Sequence, residues 1–222
     1  MTDPVLHTLH WWFSKWMLQE PKFKFLWEPD TTGEVVALDC ETTGLNLEVD
    51  EILSICAIKI RGNQILTSER LELLIRPWVE IDHSAVRIHR LRPIDVANAQ
   101  RAPDALEEFL YFIGSRPLVN YYITFDVAMI NKYLKIMIGT TLPNKPIEVS
   151  SLYYDYKYRG QPYRQIDLRF ETIVEDLDLP YRDQHDAFND ALMAAMMYLK
   201  LRQLTGKATR QWRPPEHDVP QF

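Results

Sequence analysis

An apolar run that ends in two carboxylates is the feature that most constrains this sequence. The stretch VVALDCETTGL, residues 35–45, opens with four apolar residues, which indicate a strand buried on both faces. Asp39 and Glu41 follow at its end, two residues apart. Alternate side chains of a strand share a face, so both carboxylates would point to one side, with Cys40 packed on the other. Like charges this close require a proton or a cation.

Two interpretations of this carboxylate pair remain open from the strand alone. The strand could end in solvent with both side chains hydrated, since a short D-x-E match is a common accident. Alternatively, a divalent cation binds them, because Mg²⁺ and Mn²⁺ prefer carboxylate oxygens. The net charge of −6 argues against coating nucleic acid through bulk electrostatics, but an enzyme that holds a few phosphates through metal ions remains compatible with it.

The remaining pattern predicts an α/β fold, with strands first and then helices around a further strand. Strands are predicted at 35–41, 51–60, 71–77 and 117–123. Helices are predicted at 84–91, 93–99, 103–114, 126–139, 148–157, 168–177 and 186–204. We predict an aromatic-rich, helical N-terminal extension at 1–33, a main domain at 34–205 and a flexible C-terminal tail at 206–222.

Apolar run lengths, the N-terminal pattern and the two cysteines of the 222-residue sequence predict the cellular location. No apolar run approaches the roughly 18 residues of a membrane span, and the N-terminus lacks the pattern of a secretory signal. Cys40 and Cys56 both fall in predicted strands, where a buried thiol is ordinary. We therefore expect a cytoplasmic, reduced protein without a membrane partner.

Two later segments add polar residues to the carboxylate pair. Asp126 follows the predicted strand at 117–123, where its alternative role is to cap the next helix. His185 precedes the final helix and Asp190 lies in its first turns, where a solvated loop and a favourable charge at the helix start are the alternatives. Each alternative is reasonable alone. Their joint occurrence in this order favours one metal-binding site.

Three segments now identify a family resemblance. ALDCETTGL (37–45), YYITFDVAMI (121–130) and HDAFNDA (185–191) resemble the three motifs of the DnaQ-like 3′–5′ exonucleases, in the subgroup with a catalytic histidine. The family includes the proofreading ε subunit of bacterial DNA polymerase III, RNase T and oligoribonuclease. The resemblance covers about 34–204, and SAVRIHRLRPIDVANA (84–99) resembles a further family segment. It implies an RNase H-like fold, a five-stranded mixed sheet flanked by helices.

The resemblance also implies a mechanism. Four carboxylates, Asp39, Glu41, Asp126 and Asp190, would hold two Mg²⁺ or Mn²⁺ ions beside the scissile phosphate, releasing nucleoside 5′-monophosphates. His185 would be the general base for the attacking water. The sister subgroup has a tyrosine four residues before the last aspartate, where this chain has Asp186, so the histidine subgroup is favoured.

Substrate contacts follow from the same resemblance. Thr42, Leu45 and His89 would lie at the 3′-terminal nucleotide, with Leu45 against its base. A turn residue and a packing leucine are the alternatives for the first two. The chain departs from the family at Tyr121-Tyr122, where His-Asn is common, and at Arg90, where Gly is usual. The first departure leaves the substrate preference open.

The implied partners are 3′ ends of single-stranded or frayed DNA, or of RNA in an exoribonuclease like RNase T or oligoribonuclease. A DNA polymerase is a further partner of the family, and a non-catalytic nucleic-acid-binding module is the competing class. Tyrosines and cations interleave at 153–169, which suits either single-stranded nucleic acid or inward packing. The apolar spacing at 4–18 predicts a helix packed on the domain or on a second copy in a homodimer.

Overall fold

The computed structural model describes residues 4–160, 165–182 and 185–206, which build a five-stranded mixed sheet. In spatial order its strands are β3-β2-β1-β4-β5. Their bounds are β1 (Val35–Thr42), β2 (Ile52–Arg61), β3 (Gln64–Leu74), β4 (Leu118–Asn120) and β5 (Pro146–Glu148). The β1–β2 and β2–β3 pairs are antiparallel, whereas β1–β4 and β4–β5 are parallel. The predicted five-stranded mixed sheet is confirmed.

Helices cover both faces of this sheet. In the described residues they are α1 (Pro4–Met17), a 3-10 helix (Pro21–Trp27), α2 (His83–His89), α3 (Pro93–Val96), α4 (Ala102–Ile113), α5 (Ile123–Met137), α6 (Val149–Gly160), α7 (Phe170–Asp176) and α8 (Ala187–Thr205). Each predicted helix is present, and α5 begins three residues earlier than predicted. No helix in the described ranges combines the length and apolar character needed to cross a membrane.

Two strands differ from the sequence prediction. β3 begins at Gln64 rather than at 71. Its first residues were not predicted, because most of them are exposed on the outer edge of the sheet and carry no apolar alternation. The segment predicted as a loop around 146 contains β5, a three-residue strand that begins with proline and is too short for any periodicity. β4 is also shorter than the predicted 117–123.

The core explains why β1 reads as a continuous apolar run. Val36 and Leu38 face one hydrophobic cluster, which contains residues of α4 and α5, while Val35 and Ala37 face a second cluster built from α6, α7 and α8. All four side chains are buried. On α8 the fully buried alanines 191, 194 and 195 bring that helix close to the sheet. The end of β1 is thereby held rigidly between two packed layers.

The N-terminal segment joins the first of these clusters. Trp11 of α1 and Trp27 of the 3-10 helix are buried there, and the Trp27 indole N–H donates to the Ser14 hydroxyl (3.0 Å). The Thr140 hydroxyl donates to the Ser14 carbonyl (2.9 Å), which ties α1 to the chain beyond the end of α5. At the other terminus Gly206 caps α8, and the rest of the predicted tail lies outside the described residues.

Candidate active site

Three carboxylates converge where β1 meets α8. Asp39 and Glu41 extend from the same face of the strand end, and Asp190 comes from the first turn of α8. One oxygen of each lies within 4.8 Å of the others, a spacing that suits a metal ion. The sheet and the small alanines of α8 therefore bring together side chains that are about 150 residues apart in the sequence.

Asp126 lies beside this group but is held by the protein itself. It is buried, its Oδ1 accepts the backbone N–H of Cys40 (3.0 Å), and its Oδ2 accepts from the Asn120 amide (3.0 Å). The helix begins earlier, at Ile123, so Asp126 is not its N-cap. Its side chain points instead at the end of β1.

Asn120 is a site residue that the sequence analysis missed. This last residue of β4 is buried, and its amide nitrogen donates to Asp39 Oδ1 (3.0 Å) as well as to Asp126 Oδ2 (3.0 Å). The amide thus fixes the distance between two carboxylates from different elements. A signal was present, because a polar residue directly after the apolar pair Leu118-Val119 interrupts a buried strand.

The surroundings of the cluster disfavour the charged forms of its carboxylates. Burial raises the pKa of Glu41 to about 8, with the charges of Asp190, Asp186 and Asp126 adding to the effect. Burial likewise raises the pKa of Asp126 to about 7, against the hydrogen bonds from Asn120 and Cys40.

The other two carboxylates of the site show the same direction. The pKa of Asp39 is raised well above its ordinary value, by burial first and then by the neighbouring carboxylates. Burial raises the pKa of Asp190 as well, although the His185 backbone N–H opposes it. None of the four carboxylates forms an ion pair with a lysine or arginine in the described part of the chain.

Two buried oxygens of the cluster carry no internal hydrogen bond. Glu41 Oε1 and Asp190 Oδ1 have no partner among the described residues. A buried carboxylate oxygen without a partner is costly, so such atoms indicate a missing ligand. Both belong to the group of three whose oxygens lie within 4.8 Å, and the chemistry of that group fits a hard divalent cation.

His185 lies at the mouth of the cluster. It is exposed, its backbone adopts a left-handed conformation (φ 65°), and its N–H donates to Asp190 Oδ2 (2.8 Å). A non-glycine residue in this region is uncommon, and such strain concentrates at functional sites. The same aspartate therefore contributes to the carboxylate group and fixes the backbone of the histidine.

A family model described as "Exonuclease" matches residues 36–198 of this chain, a stretch that contains all four carboxylates and His185. The chain belongs to the exonuclease family. This family assignment confirms the predicted DnaQ-like resemblance and the predicted enzyme class, a nuclease that hydrolyses phosphodiester bonds.

Relatives and solved structures are consistent with this assignment. The PolC-type DNA polymerase III of Thermotoga maritima is 30% identical over 192 residues, 85% of this chain but only 13% of the relative. The DNA polymerase III ε subunit of Aquifex aeolicus is 24% identical, covering 76% of this chain and 80% of the relative. Exonuclease X in complex with 5′ overhanging duplex DNA superposes with a TM-score of 0.62 at 20% identity, covering 80% of this chain and 96% of the other. That likeness supports the predicted RNase H-like fold.

The exonuclease places the three predicted substrate residues near the end of β1 but in different environments. Thr42 is buried and its hydroxyl donates to the Gly44 carbonyl (2.7 Å), a turn contact, while Leu45 is 83% exposed just beyond it. His89 ends α2, is buried, and accepts the Leu91 N–H on Nδ1 (3.0 Å). Its Nε2 has no hydrogen-bond partner among the described residues.

Both departures from the family pattern fall at left-handed backbone positions. Arg90, in place of the usual Gly, ends α2 with φ 64°, and Tyr122, in place of Asn, precedes α5 with φ 64°. Gly and Asn are the residues that tolerate this conformation best. In this exonuclease the Glu148 carboxylate accepts the N–H groups of Tyr122 and Ile123 (3.1 Å each). The carboxylate from β5 thus supplies the cap that the Tyr122 side chain does not.

The segment with interleaved tyrosines and cations is largely engaged in internal contacts. Tyr153 is buried and donates to Asp176, whose carboxylate also pairs with Lys157 (2.8 Å). Arg169 pairs with Asp167 (2.6 Å). Internal contacts therefore account for Tyr153 and Lys157, whereas Arg169 is 78% exposed and the stacked rings of Tyr154 and Tyr158 are exposed as well. Arg164 lies outside the described residues.

Proposed function

We propose that this chain is a metal-dependent 3′–5′ exonuclease that releases nucleoside 5′-monophosphates from the 3′ ends of single-stranded or frayed DNA. The observation that carries this proposal is the convergence of Asp39, Glu41 and Asp190, with two buried oxygens left without hydrogen bonds. A scissile phosphate is an anion, so it needs a cation before it can approach this acidic cluster.

The ligands of the proposed site are Asp39, Glu41, Asp126 and Asp190, and the proposed ions are two Mg²⁺ or Mn²⁺. Asp126 accepts one hydrogen bond on each oxygen. Each carboxylate oxygen has two lone pairs, so Asp126 retains acceptor capacity for an ion. Bound ions would lower the raised pKa values of all four groups and polarise the phosphate and its attacking water.

Other residues of the chain would deprotonate the attacking water and position the terminal nucleotide. His185, exposed beside Asp190, would accept the proton of the attacking water, since imidazole takes up and releases protons near neutral pH. Leu45 would stack against the terminal base, and Thr42 and His89 would border the same nucleotide. The exposed side chain of Leu45 and the location of His89 near the Thr42 backbone and His185 support these roles.

DNA is the proposed substrate because relatives in DNA synthesis share the exonuclease region. This chain spans only 13% of the PolC-type relative, so association with a DNA polymerase is a proposal as well. An exoribonuclease is the alternative within the enzyme class. A non-catalytic binding module is the alternative outside it, and the intact set of carboxylates argues against that module.

The test uses oligonucleotides labelled at either end. DNA and RNA strands with 5′ or 3′ labels are incubated with the protein in Mg²⁺, in Mn²⁺ and in EDTA. We expect a 5′-labelled DNA ladder that shortens stepwise from the 3′ end, release of the 3′-terminal mononucleotide at once, and no reaction in EDTA. Faster shortening of RNA would favour the exoribonuclease.

Three substitutions make the assay specific. Asp39→Ala and Asp190→Ala should each abolish mononucleotide release, whereas Asp104→Ala, at an exposed carboxylate in the first turn of α4, should retain it. Full activity of purified Asp39→Ala would refute the proposed site. Binding of oligonucleotides by the wild-type protein without any hydrolysis in Mn²⁺ would identify the non-catalytic module.

A further inference from the structure

An exposed tryptophan stacked on an arginine lies beyond β3. The side chain of Trp78 is 76% exposed, and the Arg101 guanidinium carbon lies 3.5 Å from the centroid of its ring. The same guanidinium donates to the carbonyl oxygens of Arg76 (3.4 Å) and Pro77 (3.3 Å). One face of the indole is therefore covered by a cation that is itself fixed to the backbone, and the side chain still presents a large surface to solvent.

The backbone beneath the indole is fixed as well. The Glu51 carboxylate accepts the N–H of Trp78 and the N–H of Val79 (3.4 Å). An aromatic ring that is already immobilised loses little conformational entropy when another flat group stacks on it. A pre-organised ring with one face covered by a cation is a suitable surface for a nucleobase.

Its position relates this ring to the carboxylate cluster. Glu51 directly precedes β2 and exchanges two hydrogen bonds with Thr43, whose N–H donates to its carbonyl (2.8 Å) and whose hydroxyl accepts its N–H (3.0 Å). Thr43 is two residues beyond Glu41. From strand spacings, Trp78 lies on the order of 15 Å from Glu41, near the same end of the strands β1 and β2. That distance corresponds to a few nucleotides of a single strand.

We propose that Trp78, supported by Arg101, stacks a base of the substrate strand a few nucleotides 5′ of the scissile bond. This proposal rests on the proposed exonuclease function and adds a second contact point for the strand. Stacking on an aromatic ring accepts any base, because every base has a π-face. The site would therefore hold longer strands more tightly without selecting a sequence.

The test compares a substrate that reaches Trp78 with one that does not. The long substrate is a twelve-nucleotide oligothymidylate, and the short one is the p-nitrophenyl ester of thymidine 5′-monophosphate. Trp78→Ala should raise KM for the long strand by about 5- to 100-fold with kcat unchanged. Trp78→Phe should recover most of this loss, and Arg101→Ala should give a smaller increase. Hydrolysis of the short ester should stay at the wild-type rate in all three variants.

A second exposed tryptophan provides a matched control. Trp16 on α1 is 82% exposed, and α1 lies against the C-terminal end of α5, away from the carboxylates. Trp16→Ala should leave KM for the long strand unchanged. A wild-type KM in Trp78→Ala, or an equal loss on both substrates, would overturn the stacking site. Failure of the wild-type protein to hydrolyse either substrate would instead refute the proposed function.

Discussion

Carboxylates lie at both ends of β1, but among the described residues only the one at its start has positively charged partners. At the start, Glu34 is 3% exposed and pairs with Arg61 and Arg116 (2.7 Å each). Burial raises its pKa, but the two guanidinium groups outweigh burial and hold the pKa below its ordinary value. At the end of the strand, Asp39 and Glu41 have raised pKa values and carboxylates as their main charged neighbours.

This contrast shows that carboxylates without a positively charged partner are specific to the C-terminal end of β1. The chain can neutralise a buried carboxylate with arginine, and it does so only seven residues before Glu41. The carboxylates at the other end have no such internal partner in the described part of the chain, and a divalent cation is the ligand that their oxygens suit. Neutralising the carboxylate at the start of β1 should therefore lower stability and leave activity unchanged, whereas neutralising one at its end should lower activity and raise the stability of the metal-free protein.

The largest expected effect comes from neutralising the acidic end. Glu41→Gln should lower the rate of mononucleotide release about 10³-fold, because loss of one ligand removes several kcal/mol of charge stabilisation. The same substitution should raise the thermal stability of the metal-free protein, since it removes a charge that burial disfavours. Activity assays in Mg²⁺ and thermal melts in EDTA measure both. Loss of activity together with loss of stability would show misfolding instead.

A smaller loss of activity is expected at the amide that joins two of the carboxylates. Asn120→Ala removes the hydrogen bonds to Asp39 and Asp126, so both side chains lose their fixed separation. We expect activity about 10- to 100-fold lower, with partial recovery at high Mn²⁺, as for other residues that orient metal ligands. Wild-type metal dependence in this variant would show that Asn120 is only a packing residue.

The sequence predicted the chemistry of this site better than its geometry. Asp39 and Glu41 were predicted correctly as a same-face pair, since strand periodicity decides that without any tertiary information. The convergence with Asp190 was predicted from the joint occurrence of the polar residues along the chain and from the family resemblance, since no periodicity relates β1 to α8. Asn120 was missed because a polar residue at the end of a buried strand does not reveal which carboxylates it will contact, and that contact arises only when β4 lies next to β1.

The same limit applies to the rest of the fold. Long periodic helices were predicted to within a few residues, because each carries its own apolar face. β5 is defined only by its hydrogen bonds to β4, and the first residues of β3 only by pairing with β2. The roles of Glu148 and Glu51 as backbone acceptors were likewise invisible, since both depend on contacts between distant segments.

The raised pKa values at the C-terminal end of β1 should make the stability of the metal-free protein depend on pH. Because the pKa of Glu41 is raised to about 8 and that of Asp126 to about 7, the folded, metal-free protein binds more protons than the unfolded chain above about pH 5. Its free energy of unfolding should therefore fall as the pH rises from 5 to 8. Melts in EDTA across this range measure the fall.

Bound metal should restore the stability that the metal-free protein loses at high pH. At pH 8 and a Mg²⁺ concentration of about 100 times its Kd, linkage gives roughly 2.7 kcal/mol, which raises Tm by about 5–10 °C. The variant Asp190→Asn should show a much smaller rise, because one of the converging carboxylates is neutral. A Tm that does not change with Mg²⁺ in the wild-type protein would contradict a metal site at this cluster.

The smallest effect is expected at the paired end of the strand. Glu34→Gln keeps a hydrogen-bond acceptor but removes the charge that Arg61 and Arg116 share, and Arg116 is only 17% exposed. We expect about 1–2 kcal/mol lower stability in chemical denaturation, since hydrogen bonds to charged groups contribute about 1.5–3 kcal/mol and Gln retains one neutral acceptor. Mononucleotide release by the folded variant should stay at the wild-type level, because this carboxylate lies at the far end of β1 from the proposed metal ligands. A large loss of activity at unchanged stability would mean that the two ends are coupled through the strand, and the contrast between a structural and a functional end would then be wrong.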